Sequence, residues 1–289
     1  IAKTAQPAPG ETLRYYYHEN VYRPSAESHT FQEISQMGLE MLGAVGEAQV
    51  QQAVRLAAQS LAQLGAAWVL EVSHMGYLFG LFDALGVPEN ARPGLLEKLR
   101  EKNAHELRRA AQAAGLDAAG ADALTGLLEL SGSCEETLAK AESACRNDRM
   151  RAAAAELREL AKTLEASGGA VRLDLSLAGE MEYYNGLVFQ GYLQGLPRPL
   201  LKGGRYDLLM QKFTPGAGAI GFAVYLDELD RLSAPTPPVQ RNSTGRVMLN
   251  VALPKGRLGD KMYDLLARIG YGCTEDYNAT RKLVGENPA

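Results

Sequence analysis

Apolar and polar positions change rhythm several times along this chain, and each rhythm predicts an element. Leu13-Arg14-Tyr15-Tyr16-Tyr17-His18-Glu19-Asn20-Val21-Tyr22-Arg23 is aromatic and β-branched enough to form a strand. A polar stretch over 24–30 follows. Residues 31–42 then set Phe31, Glu33, Ser35 and Met37 on one side and Gln32, Ile34, Gln36 and Gly38 on the other, which predicts an antiparallel partner and a hairpin with a seven-residue loop. Val50, Val54, Ala57, Leu61 and Leu64 recur at spacings of 4, 3, 4 and 3, one face of a helix stopped by Gly65. Residues 68–73 read as a buried strand and 76–85 as a short apolar helix ended by Gly86 and Pro88.

The second half changes character. Residues 94–166 are rich in Ala, Leu, Glu, Lys and Arg, with glycine breaks near Gly115, Gly120, Gly126 and Gly132, and predict a helical insertion. Strand chemistry returns at 171–177 and 181–193, Gly203-Gly204 is read as a break before a helix over 206–213, and a strand at 219–225 runs into a helix at 226–232. Three prolines without apolar periodicity make 233–245 a linker. Beyond it, 246–253 reads as a strand and 258–269 as a helix, the start of an α/β domain.

Composition narrows the function classes. The 289 residues leave room for about two domains. No apolar run approaches the ~20 residues of a membrane span, so no membrane role is expected. Thirty basic against 34 acidic residues give a net charge of −4, so nucleic acid is not an expected partner. Cys134, Cys145 and Cys273 are an odd number at no metal-like spacing, which suits a reducing compartment and points to the cytoplasm. His18, His29, His74 and His105 show no zinc-type pairing. Gly216, Gly218 and Gly221 spell G-x-G-x-x-G, but they precede a strand instead of opening a helix, so they are read as permitting a tight turn and close backbone approach, not as a dinucleotide loop. The start at Ile1 suggests an N-terminally incomplete piece. Pattern alone leaves a soluble α/β protein.

Four ordered segments carry a resemblance: Tyr22-Arg23 with Phe31-Gln32-Glu33-Ile34-Ser35-Gln36-Met37-Gly38-Leu39-Glu40, then Glu182-Tyr183-Tyr184-Asn185-Gly186-Leu187-Val188-Phe189, then Gly203-Gly204-Arg205-Tyr206-Asp207, then Ala219-Ile220-Gly221-Phe222-Ala223. Together they resemble the catalytic core of the histidyl-tRNA synthetase family. That resemblance implies an α+β fold over 1–232: a class II aminoacyl-tRNA synthetase-like antiparallel sheet with flanking helices and the helical insertion. It also implies that Gln36, Glu40, Tyr183 and Tyr184 hold the amino group and imidazole of histidine, and that Arg23 is a vestige of an ATP α-phosphate contact. A buried carboxylate suits an imidazole N–H and a phenol suits the other ring nitrogen.

The departures assign the expected role. Arg23 is followed by Pro24-Ser25 where the synthetases have a glutamate for adenine, Gly179 stands where they have a catalytic arginine, and Tyr225-Leu226-Asp227-Glu228 replaces a motif ending in arginine. Tyr225 would fill the nucleotide floor and Glu228 would repel phosphate. A pocket for histidine without activation chemistry resembles the regulatory subunits of ATP phosphoribosyltransferase, as does the wording Ser73-His74-Met75-Gly76-Tyr77. The tail Val247-Met248-Leu249-Asn250-Val251-Ala252-Leu253-Pro254-Lys255-Gly256-Arg257-Leu258 resembles the start of the catalytic subunit of the same enzyme, with Arg281-Lys282-Leu283 and Glu286-Asn287-Pro288 continuing the likeness. Lys255, Gly256 and Arg257 are the candidate contacts there for a phosphate-bearing substrate. These resemblances imply a histidine-sensing, noncatalytic regulatory subunit with no cofactor of its own and a catalytic subunit or domain as partner. They also imply a homo-oligomer, and Mg for the complete transferase reaction. An active histidine–tRNA ligase and a bare interaction scaffold are the alternatives.

Overall fold

The computed structural model describes residues 1–24, 31–165, 170–179 and 183–233. The chain divides into two units, Ile1–Ala234 and Pro235–Ala289, and the described residues all belong to the first. The linker, strand and helix expected beyond 233, with Lys255, Gly256 and Arg257, lie outside the described residues.

An eight-stranded sheet organises the first unit. Its strands are β1 (Thr12–Pro24), β2 (Phe31–Gly43), β3 (Trp68–His74), β4 (Ser131–Gly132), β5 (Ala170–Asp174), β6 (Leu187–Leu193), β7 (Leu201–Arg205) and β8 (Gly218–Tyr225), in the spatial order β1-β2-β8-β7-β6-β3-β5-β4. Neighbours are antiparallel except β3 and β5, which pair parallel. The parallel pair requires a long crossover, and the helices of the insertion provide it.

Helices α1 (Glu47–Ala62), α2 (Met75–Ala84), α3 (Arg92–Arg100), α4 (Ala104–Ala113), α5 (Ala118–Thr125), α6 (Cys134–Ser143) and α7 (Asp148–Glu165) come before β5, and α8 (Asp207–Met210) and α9 (Leu226–Ser233) flank β8. The apolar stripe of α1, Ala53, Val54, Ala57, Ala58 and Leu61, is buried against β6 and β8. Leu64 does not extend it: the helix ends at Ala62, Gly65 turns at φ 71°, and Leu64 is 38% exposed. Helix α7 covers β3 and β5 on the α1 side, α2 packs on α7, and Tyr77 of α2 ties it to α6 by donating its Oη–H to the Ala141 carbonyl at 2.8 Å.

Two expected elements are corrected. Gly203-Gly204 does not break the chain but lies inside β7, paired with β6 and β8. Glycine is needed there for close approach: a β-carbon at Gly203 would stand 2.5 Å from Phe189 Cζ, and one at Gly204 would stand 2.7 Å from Tyr184 Cε1. Conversely, the strand expected over 181–193 begins only at Leu187; residues 180–182 lie outside the described residues, and the chain from Tyr183 to Gly186 is irregular. The helix expected over 206–213 is a single turn, Asp207–Met210, continued by turns.

The face away from α1 is open at its centre. A small cluster of Ala5, Leu42, Tyr206, Met210, Ala217 and Ala219 closes one end of it.

Candidate functional site

Strand register builds the floor of a cleft on that open face. Directly opposed residues of antiparallel strands point the same way, so each row across the sheet is a row of side chains. One row runs Tyr17, Gly38, Ala223, Lys202, Gln190, and the next runs Tyr15, Glu40, Gly221, Gly204, Val188. A third sets Glu19 and Gln36 beside Tyr225. The small residues in the middle of the rows leave a cavity of about 580 Å³, walled by Tyr183, Tyr184 and Tyr206 and by Leu177 and Gly179.

Glu40 is the electrostatic centre of this cleft. It sits inside β2, paired on both sides, and its side chain lies over Gly221, where any β-carbon would collide with the carboxylate. Tyr206 Oη donates to Glu40 Oε2. Three rings surround the carboxyl: Tyr183 and Tyr184 have centroids 5.0 Å apart, Tyr183 and Tyr206 5.8 Å, and Tyr184 and Tyr206 6.5 Å. Loss of water raises Glu40 to about 7, against the smaller opposing effect of the Tyr206 hydrogen bond. Burial, then the Glu40 charge, raises Tyr206 and Tyr17 well above an ordinary phenol, so both stay protonated donors.

Gln36 stands two rows from Glu40. Its Nε2 donates to Tyr17 Oη at 3.2 Å, and its Oε1 is buried with no partner among the described residues. A buried amide oxygen without a donor is unfavourable by roughly 1–3 kcal/mol, and an N–H brought in from the cleft would satisfy it. The cleft therefore offers an acceptor at Gln36, a carboxyl at Glu40 and aromatic walls, a combination suited to a small molecule with an ammonium group and a flat polar ring.

Gln36, Glu40, Tyr183, Tyr184 and Arg23, the candidates from the sequence, all line this one cleft. Tyr225 lines it as well, whereas Glu228 does not and pairs with Arg231 at 3.0 Å. At Gly179, where an arginine would be needed for activation chemistry, a β-carbon would stand 2.6 Å from Tyr184 Cδ2, so Tyr184 occupies the space a longer side chain would take. Tyr17 and Tyr206 belong to the site without being sequence candidates. The signal for Tyr17 is its even spacing from other residues of the strand that carries Arg23; the signal for Tyr206 is hidden when Gly203-Gly204 is read as a break. Among the described residues no group of three metal-ligating side chains occurs, and no helix is long and apolar enough to cross a membrane.

Comparison with known proteins agrees with this geometry. The family model described as histidyl-tRNA synthetase matches residues 1–229. An ATP phosphoribosyltransferase regulatory subunit of Desulfitobacterium hafniense is 34% identical over 217 residues, covering 74% of this chain and 56% of the relative. The protein of the same name from Shouchella clausii is 36% identical over 222 residues, covering 75% of this chain and 56% of its own length. The chain thus spans about half the length of the curated relatives it matches. Among solved structures, an ATP phosphoribosyltransferase regulatory subunit/histidyl-tRNA synthetase from Bacillus halodurans superposes with a TM-score of 0.67 at 32% identity, covering 78% of this chain and 58% of that one. With its sheet, its cleft and a match running from residue 1 to residue 229, the chain belongs to the histidyl-tRNA synthetase family.

Proposed function

We propose that this chain is a noncatalytic, histidine-sensing regulatory subunit of ATP phosphoribosyltransferase, acting on the first step of histidine biosynthesis. The reaction under control is attack of the adenine N1 of ATP on the anomeric carbon of phosphoribosyl pyrophosphate. One observation carries the reading: Gln36, Glu40, Tyr183 and Tyr184 converge on one cleft, while Gly179, which also lines it, stands where the synthetases have a catalytic arginine. In this reading Glu40 accepts from the imidazole of histidine, Tyr183 and Tyr184 enclose the ring, Gln36 takes the ammonium group, and Arg23 is a remnant of a nucleotide site. The names of the relatives support the regulatory role over an active histidine–tRNA ligase.

The partner is the catalytic subunit or domain of the transferase, the assembly is homo-oligomeric, and Mg belongs to the complete reaction instead of to this chain. In the same proposal residues 246–289 are the beginning of such a catalytic unit, joined through the 233–245 linker, with Lys255, Gly256 and Arg257 as the candidate contacts for a phosphate-bearing substrate.

Titration calorimetry with histidine tests the site. The intact chain is expected to bind histidine in preference to other amino acids. Glu40→Ala is expected to lose roughly ten- to hundredfold in affinity, the equivalent of about 1.5–3 kcal/mol for a hydrogen bond to a charged group. Equal affinity in the wild type and the variant would remove Glu40 from the site.

A further inference from the structure

We infer that the cleft holds both charges of a free amino acid at once, Glu19 with Gln36 taking the ammonium group and Lys202 on the facing wall taking the carboxylate. The inference rests on the histidine reading above and adds to it two residues, Glu19 and Lys202, and the requirement that both groups of the ligand be unmodified.

The geometry begins at Gln36, which lines the cleft and is only 7% exposed. Its Nε2 is spent on Tyr17 Oη, and the buried Oε1 is left as an acceptor with no partner among the described residues. Glu19 is directly opposed to Gln36 across β1 and β2, so the two side chains start about 5 Å apart on the same face. Glu19 is exposed where Gln36 is buried, which places the carboxylate at the entrance and the amide beneath it. An acceptor and a carboxylate side by side suit an ammonium group better than a neutral N–H, because the ammonium has three N–H bonds to give and a charge to offset.

Among the described residues the charged side chains lining the cleft are Glu19, Arg23, Glu40 and Lys202. Glu40 is engaged with the ring in the histidine reading, which leaves two cations for the carboxylate. Lys202, on β7, lies two strands from Gln36, in the row between those of Gln36 and Glu40. That is about 10 Å across the sheet and about 7 Å along it, a gap that a lysine side chain and an α-carboxylate bridge together. Ala223, on the strand between them, carries only a methyl group. Arg23 is the competing cation, and its charge reaches the phenols of Tyr17 and Tyr183. It lies on Glu19's own strand, however, two rows beyond it and opposite Gln32. A carboxylate drawn that way would pass the Glu19 charge, whereas one drawn to Lys202 moves away from it, so repulsion selects the lysine. The two ends of the ligand are held on opposite walls, and a ligand lacking either end loses one of them.

Calorimetry of the full chain with three ligands reads each end separately: histidine, histamine, which has no carboxylate, and imidazolepropionate, which has no ammonium group. Both analogues are expected to bind roughly tenfold more weakly than histidine, and one too weak to titrate directly is read by its displacement of histidine. Glu19→Gln is expected to weaken histidine and histamine about fivefold and to leave imidazolepropionate unchanged. Lys202→Met is expected to weaken histidine and imidazolepropionate about tenfold and to leave histamine unchanged. A variant that merely disturbs the fold weakens all three ligands together, so the selectivity is what a structural role does not imitate. Equal losses for all three ligands in either variant, or analogues as tight as histidine on the wild type, would overturn the assignment while leaving the histidine site standing. If Arg23→Met shows the carboxylate selectivity and Lys202→Met does not, the place given to Lys202 is wrong. No saturable heat with histidine itself would overturn the histidine reading as well.

Discussion

A carboxyl enclosed by tyrosines is more stable there without its charge, and this makes Glu40 a liability to the unliganded fold. Its value in the folded chain, about 7, lies above the 4.5 of an unperturbed glutamate, so the folded state holds the proton more tightly than the unfolded state does. The stabilisation this provides is fully present below about pH 4.5 and is lost as pH rises through about 7, a difference of roughly 3 kcal/mol over the whole window. Glu40→Gln, which cannot ionise and still accepts from Tyr206, is therefore expected to raise the melting temperature at pH 8 by several degrees and to change it far less at pH 5. Differential scanning calorimetry at the two pH values reads this, and an equal shift at both would show that the carboxyl is not desolvated in the folded chain. Under the proposed function the same substitution would weaken the histidine site, the trade-off of a group that serves binding at the expense of folding.

Along the elements, the sequence is most informative where one periodicity runs without interruption. The stripe of α1 and the alternation of β2, which places Gln36 and Glu40 on one face, are legible because the side-chain repeat alone decides them. Strand β7 is not, because its two glycines answer to Phe189 and Tyr184, neighbours in space whose approach no local pattern encodes. Losing β7 also hides Tyr206, whose hydroxyl holds Glu40. Nor does the sequence indicate how the helical run is tied to the sheet. Lys102, at φ 51° just beyond α3, donates to Asp174 Oδ2 at 2.6 Å at the end of β5. Asp174 is 2% exposed and also accepts from the backbone N–H and the hydroxyl of Ser176 at 3.0 and 2.6 Å. Removing the lysine leaves that buried carboxylate without its cation, so Lys102→Met is expected to destabilise the chain by about 2–3 kcal/mol in urea unfolding. Adding Asp174→Asn should restore at least half of the loss, because the amide needs no counter-ion. A double variant as unstable as the single one would mean that the lysine acts by packing.

Taken as a whole molecule, the unit that ends at Ala234 contains every residue of the cleft, the last of them Tyr225. Beyond Tyr225 the same unit contains α9. Its Asp227 accepts the Ser35 N–H at 3.1 Å, just beyond the last residue pair of β2 and β8, and Leu229 packs on the main core. A chain cut after Ala234 is accordingly expected to melt with the same midpoint as residues 1–225 plus α9 provide in the full chain, and to bind histidine within about twofold of it. Cutting instead after Tyr225 exposes the Ser35 amide and strips Leu229 from the core, which together should cost about 2–4 kcal/mol. Thermal melting and histidine titration of the two truncations separate these contributions. If the longer truncation loses more than tenfold in affinity, residues 235–289 take part in holding histidine. If it keeps its affinity, sensing resides wholly in the first unit, and any influence of bound histidine on phosphoribosyl transfer must leave that unit through its surface. In that case the influence is reciprocal: a transferase substrate that histidine displaces by a given factor weakens histidine binding by the same factor.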